Sequence, residues 1–300
     1  MKILIIGSEG FIGRNCVSFF SKKGWEVHGC DLLDYTSNNY HYTKISRLQP
    51  SFDDVFADIK YDACINASGN GSVPFSIDHP VNDFEANCND TIRVLELIAL
   101  KNRECRYIHI SSAAVYGNPQ RSPVPEDETI NPLSPYGWHK YIAEILCKEY
   151  HTLYKIPVVI VRPFSIYGPG LHKQLFWDLF LKCKQSAKEL VLWGTGNESR
   201  DFIYINDFIE ALNIILLNSP MQANIYNLGN GIEITIKDAA QQFLKNFDSS
   251  INLKFNNQQR IGDPMHWKAD ITNVRSLGYE SKYNFAKGIQ ETVTWLKDLL

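Results

Sequence analysis

The 300-residue sequence predicts an α/β fold, a doubly wound parallel sheet followed by a smaller α/β lobe. Short apolar runs alternate with helical patterns through the first half of the chain, and a glycine-rich turn directly follows the first apolar run. Continuous apolar strands between helices are typical of a parallel sheet that is covered on both faces. With 44% hydrophobic and 21% charged residues, the composition suits a globular protein with a sizeable core.

Each element of the first half follows from its local pattern. The predicted strands cover residues 2–6, 26–30, 63–66, 107–111 and 157–161, with a further strand region at 42–45. The predicted helices cover residues 11–23, 52–58, 81–101 and 135–154. Residues 117–135 are rich in Pro, Asn and acidic residues, and they predict a long loop over the carboxyl edge of the sheet, where open α/β folds bind ligands.

The second half has a different texture, with mixed helices, short strands and many Gly and Asn. We expect a first domain at residues 1–165 and a substrate-binding lobe at 166–300, with segments near 202–228 returning to the first domain.

No apolar run approaches the ~18 residues of a membrane helix, and a net charge of −3 argues against nucleic acid as a partner. Seven scattered Cys without a Cys-x-x-Cys pair predict reduced thiols of a cytoplasmic protein, with no metal site.

A glycine-rich turn, Gly7-Ser-Glu-Gly10-Phe-Ile-Gly13, lies between the first predicted strand and the first predicted helix. Small residues there let the backbone approach a pyrophosphate, and the helix N-terminus supplies N–H donors. Asp31 ends the next strand, where a carboxylate would accept hydrogen bonds from the adenosine ribose and repel a 2′-phosphate. This favours NAD over NADP, although Asp31 as a turn former is an alternative.

Two further stretches predict close approach of the cofactor. Residues 66–69, Asn-Ala-Ser-Gly, end the fourth predicted strand with small side chains. Asn87 lies in a helical stretch facing that region, where an Asn that only holds backbone is an equally good interpretation. The strand region at 42–45 lacks the acidic residue expected to hold the adenine amino group.

Ser112, Tyr136 and Lys140 form the strongest chemical pattern. Tyr136 and Lys140 are one helical turn apart, so they share a face, and a neighbouring ammonium lowers the pKa of a phenol. Ser112, at a strand end, could hold the substrate oxygen that gains or loses the proton. Of the Tyr-x-x-x-Lys pairs, only this one follows a Pro that suits a first helical position; the others are Tyr40/Lys44 and Tyr283/Lys287. Given a nicotinamide, the trio predicts hydride transfer at a carbinol carbon.

Together these motifs resemble the extended branch of the short-chain dehydrogenase/reductase family, which contains nucleotide-sugar epimerases and dehydratases. Besides the residues above, the resemblance rests on stretches 115–117, 162–169, 196–204, 226–229 and 260–263. It implies a Rossmann domain that binds NAD(P) and a lobe that binds a nucleoside-diphosphate sugar. It also implies a homodimer built from two helices per subunit, matched here by residues 81–101 and 135–154.

The resemblance also assigns roles. Tyr136 is the general acid/base, Lys140 lowers its pKa and binds the nicotinamide ribose, and Ser112 hydrogen-bonds the sugar. The implied cofactor-binding residues are Gly7, Gly10, Phe11, Ile12, Gly13, Asp31, Ala67, Ser68, Gly69, Asn87, Tyr136, Lys140 and Pro163. The implied substrate-binding residues are Ser112, Ser165, Gln174, Trp193, Arg200 and Arg260. The two Arg would hold the pyrophosphate, and a surface ion pair is the alternative role for either of them. Trp193 would lie against the nucleobase, and a core aromatic is its alternative role.

Departures from the family pattern narrow the reaction. The 4,6-dehydratases carry Asp-Glu directly after the catalytic Ser/Thr, whereas this chain has Ala113 and Ala114, which cannot carry a proton. We therefore do not expect a 4,6-dehydratase. Ser165 stands where most relatives have Asn, and Asn70 and Gly71 lie where galactose epimerases have a more polar loop. We therefore do not expect a standard galactose pocket.

Two reactions remain. One is 4-epimerisation of a nucleoside-diphosphate hexose through a transient 4-keto sugar, which Asp31 favours through its preference for NAD. The other is NAD(P)H-dependent reduction of a 4-keto-(6-deoxy)hexose in surface-polysaccharide sugar synthesis, which the altered pocket favours. A non-catalytic NAD-binding sensor or scaffold is a third interpretation, against which the presence of both Tyr136 and Lys140 argues.

Overall fold

The computed structural model describes residues 1–36, 39–46, 52–185, 188–258 and 265–300. The chain forms two compact units. The first comprises Met1–Gly117, Ile130–Pro163 and Ile209–Tyr226, and the second comprises Asn118–Thr129, Phe164–Phe208 and Asn227–Leu300. Arg260 lies outside the described residues. Within the described residues, no helix is both long enough and apolar enough to cross a bilayer.

The main sheet has seven strands. In chain order, the strands of the molecule are β1 (Lys2–Ile6), β2 (Glu26–Asp31), β3 (His41–Lys44), β4 (Ala63–Asn66), β5 (Arg106–Ile110), β6 (Val158–Pro163), β7 (Ser165–Tyr167), β8 (Glu189–Leu192), β9 (Ser199–Tyr204), β10 (Gln222–Leu228), β11 (Glu233–Thr235) and β12 (Asn252–Phe255). The spatial order of the main sheet is β10-β6-β5-β4-β1-β2-β3, and the neighbours from β3 to β6 are parallel. This doubly wound order confirms the predicted fold class. The carboxyl ends of the parallel strands meet at one edge, where the predicted cofactor and catalytic residues follow them.

The helices carry the signals that the sequence offers at their ends. They are α1 (Phe11–Lys22), α2 (Val73–Asp78), α3 (Pro80–Phe84), α4 (Asp90–Lys101), α5 (Pro135–Tyr154), α6 (Gln174–Lys184), α7 (Ile205–Asn218), α8 (Ile236–Phe247), α9 (Thr272–Ser276) and α10 (Phe285–Lys297). Ser134 caps α5 by accepting a 3.2 Å hydrogen bond from Gly137 N, Pro135 is its first residue, and Lys155 ends it in the left-handed region. The predicted bounds of this helix are confirmed.

Two predicted helices differ from the structure. Residues 52–58 form turns, in which Phe56 N bonds to the carbonyls of Phe52 and Asp53. Their apolar spacing reflects burial of Phe52, Val55 and Phe56 in the core beside the sheet rather than a helix. The stretch 81–101 is helical but not uniform, because a π-helical turn at Glu85–Asn89 separates α3 from α4. Such turns are frequent at functional sites.

The second unit has its own small sheets and an aromatic core. Strand β9 pairs with β7 in parallel and with β11 antiparallel, and β8 pairs with β12 in parallel. Its core is a set of rings whose centroids lie within about 6 Å of their neighbours, formed by Tyr167, Phe176, Phe202, Tyr204, Phe243 and Phe285. All seven Cys of the chain are buried free thiols.

Candidate active site

The turn between β1 and α1 has the shape that a pyrophosphate needs. The predicted residues at this turn are Gly7, Gly10, Phe11, Ile12 and Gly13. Gly7 has a φ of 77°, and a Cβ there would lie 2.9 Å from Ala67 O and from backbone atoms of Ser68. A Cβ on Gly13 would lie 2.0 Å from Gly7 O, so only glycine lets α1 begin this close to the strand. Gly10 is exposed at the N-cap and brings no capping side chain, which leaves the first-turn N–H groups available to an anion.

Asp31 ends β2 beside this turn, as predicted for an adenosine-ribose ligand. One carboxylate oxygen accepts a hydrogen bond from Glu9 N at 2.9 Å and the other accepts one from Leu32 N at 2.6 Å. A carboxylate has about four acceptor positions, so Asp31 retains capacity for ribose hydroxyls. The sequence analysis missed Glu9, whose buried carboxylate accepts from Tyr40 Oη at 2.6 Å and from Arg14 Nε at 3.0 Å. The carboxylates of Glu9 and Asp31 therefore both lie at the edge where the carboxyl ends of the parallel strands meet.

The loop after β4 completes the fit to a dinucleotide. Asn66 Oδ1 accepts hydrogen bonds from Ser68 N at 3.1 Å and Ser68 Oγ at 2.6 Å, which fixes the loop through Ala67 and Ser68. Gly69 has a φ of 102°, and a Cβ there would lie 2.4 Å from Asn87 Oδ1. Asn87 donates to Asp83 O at 3.0 Å, but its buried Oδ1 has no hydrogen-bond partner among the described residues. The unpaired Asn87 Oδ1 beside the backbone of Gly69 therefore suits a bound ligand with a hydrogen-bond donor.

The catalytic candidates lie at the same edge, all in the first unit. Ser112 follows β5, caps the 3₁₀ turn Ala113–Val115 by accepting from Ala114 N at 3.1 Å, and hydrogen-bonds the phenol of Tyr136. Tyr136 is the second residue of α5 and is partly buried. Lys140, one turn later, is buried and donates to Ile110 O at 3.0 Å, with its Nζ 6.0 Å from the centre of the Tyr136 ring. The structure thus brings the three predicted residues together.

The electrostatics of Tyr136 correct one expectation. Burial raises the pKa of the Tyr136 phenol, the hydrogen bond from Ser112 lowers it, and the negative charge of Asp83 raises it. The net direction is upward from the ordinary value of 10.0, not downward as the Lys140 spacing suggested. Desolvation of the phenolate is the largest cause, and burial could not be read from a four-residue spacing.

A buried ion pair supports this edge. Glu144, on α5, accepts from Arg162 Nη2 at 2.6 Å, from Arg162 Nε at 2.9 Å and from Ser111 Oγ at 2.6 Å. Arg162 also donates to Tyr116 Oη at 2.8 Å. Burial opposes the charged form of Arg162, but the hydrogen bonds and charge of Glu144 outweigh it and raise the pKa of the guanidinium. The pair joins β5, β6 and α5; Pro163, a predicted cofactor contact, is the last residue of β6.

Of the predicted substrate residues, Ser112 lies in the first unit, and the other described ones lie in the second: Ser165, Gln174, Trp193 and Arg200. Arg260 is outside the described residues. Ser165 begins β7, adjacent to the strand β9 that carries Arg200. Gln174 begins α6 with a φ of 67°, a conformation that non-glycine residues rarely adopt and that clusters at functional sites. Trp193 is 48% exposed, which disfavours a core role for it. Arg200 donates to Ser199 O at 2.8 Å and stacks 5.7 Å from the centre of the Trp267 ring.

Comparison with known proteins defines the class of this chain. The family model described as "NAD dependent epimerase/dehydratase family" matches residues 3–229. The chain belongs to this family, which confirms the predicted resemblance and the prediction of NAD as cofactor.

The individual relatives include a dehydratase and an epimerase. A dTDP-glucose 4,6-dehydratase of Streptomyces niveus is 27% identical, with 99% of this chain and 93% of the relative covered. A UDP-glucuronate 4-epimerase of Thermodesulfobacterium geofontis is 27% identical, with 98% of this chain and 96% of the relative covered. The solved structure of UDP-glucuronic acid 4-epimerase from Bacillus cereus with UDP-glucuronic acid and NAD is similar at a TM-score of 0.90 and 26% identity, with 100% of each chain covered.

Proposed function

We propose that the protein is an NAD-dependent nucleotide-sugar epimerase that acts at C4 of a nucleoside-diphosphate hexose. The observation that carries the proposal is the hydrogen bond between Ser112 and the partly buried phenol of Tyr136, with Lys140 one helical turn away. All three lie at the sheet edge that also carries the glycine turn and Asp31. That arrangement suits proton transfer at a carbinol oxygen next to a bound dinucleotide.

The residues would divide the chemistry as follows. Bound NAD supplies a nicotinamide that accepts and returns a hydride, and its positive charge favours the Tyr136 phenolate. Gly7, Gly10 and Gly13 would hold the pyrophosphate and Asp31 the adenosine ribose. Tyr136 would remove the proton of the C4 hydroxyl as C4 is oxidised to a ketone. It would return the proton to the ketone oxygen when C4 is reduced to the opposite configuration. Ser112 would orient that oxygen throughout, and buried Lys140 would stabilise negative charge on the phenol.

The residues after Ser112 favour epimerisation over dehydration, although dehydratases are among the relatives. Ala113 and Ala114 form the 3₁₀ turn directly after Ser112. Elimination of water from a hexose needs one group that removes a carbon-bound proton and another that protonates the leaving hydroxyl. Neither methyl side chain can do so, so this chain lacks an acid/base pair at those two positions.

The proposal is tested by the cofactor and the product. Protein purified without added nucleotide is denatured, and the released NAD and NADH are quantified; it is then incubated with UDP- and dTDP-hexoses and the products are identified by NMR. We expect retained NAD with some NADH, and conversion to the C4 epimer without added cofactor. A 4-keto-6-deoxy product would identify a dehydratase. Turnover only of supplied 4-keto sugars with added NAD(P)H would identify a reductase.

Asp31→Ala is expected to reduce the discrimination against NADP. Without the carboxylate, the 2′-phosphate meets less repulsion and NAD loses ribose hydrogen bonds. We expect the ratio of the two dissociation constants, measured by calorimetry on cofactor-free protein, to change by about tenfold, which corresponds to about 1.4 kcal/mol. Asp34→Ala is the matched control, because Asp34 is exposed and pairs with Lys44. Stronger binding of NADPH than of NADH by the wild type would contradict the cofactor assignment.

We also propose that the first unit holds NAD and the second unit holds the nucleotide sugar, through Ser165, Gln174, Trp193, Arg200 and Arg260. A homodimer through α4 and α5 is part of the same proposal. It is supported by exposed apolar side chains on or beside these helices, with Leu100 75%, Leu153 64% and Ile145 46% exposed. A molar mass near that of one 34.3 kDa chain in light scattering would contradict the dimer.

A further inference from the structure

Two histidines and a glutamate converge on one face of the main sheet, near the amino ends of β2 and β3. Glu26 and His28 lie two residues apart on β2, so their side chains point to the same face. His28 is paired in register with His41 on the parallel strand β3, and the centroids of the two stacked rings are 4.5 Å apart. One carboxylate oxygen of Glu26 and one ring nitrogen of each histidine all lie within 4.8 Å of one another.

These three side chains are a suitable ligand set for a divalent transition-metal ion. Imidazole nitrogens and carboxylate oxygens bind Zn²⁺ at about 2.0–2.2 Å, and a tetrahedral arrangement then separates the ligand atoms by about 3.3 Å. Glu26 Oε1 and His28 Nε2 are 2.9 Å apart. Glu26 and His41 are both exposed, so their side chains have room to close the remaining distances.

His28 would fix the position of the metal ion. It is buried, and its ring packs edge-on against the buried ring of Tyr61 at 5.4 Å between centroids. Its register partner on the other neighbouring strand is Leu4, which belongs to the core. A side chain that packing already holds loses little conformational entropy when it binds a ligand. The cluster therefore offers one rigid ligand and two exposed ligands that can adjust.

Lys2 competes with a metal ion for the carboxylate. Its Nζ lies 3.1 Å from Glu26 Oε1, and both side chains are accessible to solvent. An ion pair of this kind contributes little to stability, so a divalent cation with two further imidazole ligands can displace the ammonium. The backbone N of Lys2 donates separately to Asp62 Oδ2 at 2.7 Å, a contact that does not involve the ammonium.

We propose that Glu26, His28 and His41 bind one Zn²⁺ or a similar divalent transition-metal ion, with water as the fourth ligand, and that the ion fastens β3 to β2. Strand β3 is the last in the order of the main sheet, where an additional link to β2 is useful. Asp31 ends β2 five residues after Glu26, about 16 Å further along the strand. The ion would therefore have a structural role outside the candidate active site. Cys spacing, on which the expectation of no metal site rested, carries no signal for these residues.

Isothermal titration calorimetry with Zn²⁺ alone tests the site. The whole chain is treated with a chelator, which is then removed, and is kept reduced because its seven Cys are free thiols. We expect the wild type to bind one Zn²⁺ per chain with a Kd below about 10 μM. His41→Gln changes an exposed ligand and is expected to weaken binding by at least about 100-fold, since even the loss of an outer-shell partner costs about 10–100-fold. A weaker Kd in the wild type, or an equal Kd in the variant, would overturn the proposal.

Two control variants separate this cluster from other contacts. His266 Nδ1 lies 3.0 Å from Glu233 Oε1 in the second unit, a pair to which the described residues add no third metal ligand. His266→Gln is therefore expected to leave the Kd for Zn²⁺ unchanged. Lys2→Gln removes the competing ammonium and is expected to lower the Kd by about threefold. Weaker binding in either control would contradict the assignment of the ion to Glu26, His28 and His41.

Co²⁺ reports the coordination geometry, because it accepts the same ligands as Zn²⁺ and its visible absorption depends on the number of ligands. We expect the intense bands of a four-coordinate ion in the wild type and the weak spectrum of hydrated Co²⁺ in Glu26→Gln. A wild-type spectrum identical to that of hydrated Co²⁺ would count against the site.

Thermal unfolding measures the stabilisation that the ion provides. With free Zn²⁺ at about 100 times the Kd, the unfolding midpoint of the wild type is expected to rise by about 4 °C. That of His41→Gln is expected to stay unchanged, and equal rises in both proteins would overturn the structural role. None of these measurements uses a nucleotide sugar, so the metal site and the proposed epimerase can fail independently.

Discussion

Replacing Tyr136 with phenylalanine is expected to lower turnover by about 10²–10⁴-fold. The phenyl ring keeps the packing of the partly buried side chain at the start of α5 but removes the only group of Tyr136 that can exchange a proton. The hydroxyl of Ser112 loses its partner but stays at the 3₁₀ turn, where it still accepts from Ala114 N. The expected result is therefore a loss in kcat with little change in thermal stability or in the amount of NAD retained on purification.

A matched control separates this loss from a general effect of removing a hydroxyl. Tyr283→Phe makes the same chemical change in another Tyr-x-x-x-Lys pair, in which Lys287 Nζ lies 4.2 Å from the centre of the Tyr283 ring. That pair belongs to the second unit and has, among the described residues, no Ser at the end of a preceding strand as its partner, and its variant is expected to retain wild-type turnover. Steady-state kinetics with the sugar identified by the NMR assay measure the kcat of the two variants and of the wild type. Equal kcat values for Tyr136→Phe and the wild type would remove Tyr136 from the mechanism.

Local signals account for the parts of the fold and site that the sequence predicts well. Strands β1 and β4 are short apolar runs bounded by small or polar residues, and α5 begins where Ser134 and Pro135 provide a cap and a first residue. The glycine turn is predictable for the same reason, since the spacing of Gly7 and Gly13 reflects contacts a few residues apart. Signals of this kind involve backbone geometry, which neighbouring residues determine.

The electrostatic contacts of the site have no such local signal. Asp83 and His139 are 56 positions apart, and Glu9 and Tyr40 are 31 apart. An Asp in a helix usually indicates a solvated face, so nothing in the neighbourhood of Asp83 marks it as buried. The direction of the pKa shift of Tyr136 escaped prediction for the same reason, because it depends on burial and on Asp83 rather than on the nearby Lys140.

Glu144→Gln is expected to lower the free energy of unfolding by about 3–5 kcal/mol, because it removes the negative charge that faces the buried Arg162 guanidinium. Both side chains of the pair are at most 2% exposed. The amide can accept from Arg162 at one oxygen only, and its NH₂ group would face guanidinium N–H donors instead of an acceptor. Urea titrations followed by circular dichroism measure the change, and Glu149→Gln, on an exposed position of the same helix, is expected to stay within about 0.5 kcal/mol of the wild type.

The double variant Glu144→Leu/Arg162→Met tests whether charge, rather than shape, causes this loss. Replacing a buried ion pair with apolar side chains of similar volume is often neutral, whereas removing one partner is not. We therefore expect the double variant to be more stable than Glu144→Gln, although the hydrogen bonds of Ser111 Oγ to Glu144 and of Arg162 to Tyr116 Oη are lost at a cost of about 1 kcal/mol each. Glu144, eight residues after Tyr136 on α5, connects this helix to Arg162 on β6. The double variant is therefore also expected to retain NAD but to convert the sugar more slowly. If it were no more stable than Glu144→Gln, the packing of these two side chains would matter more than their charges.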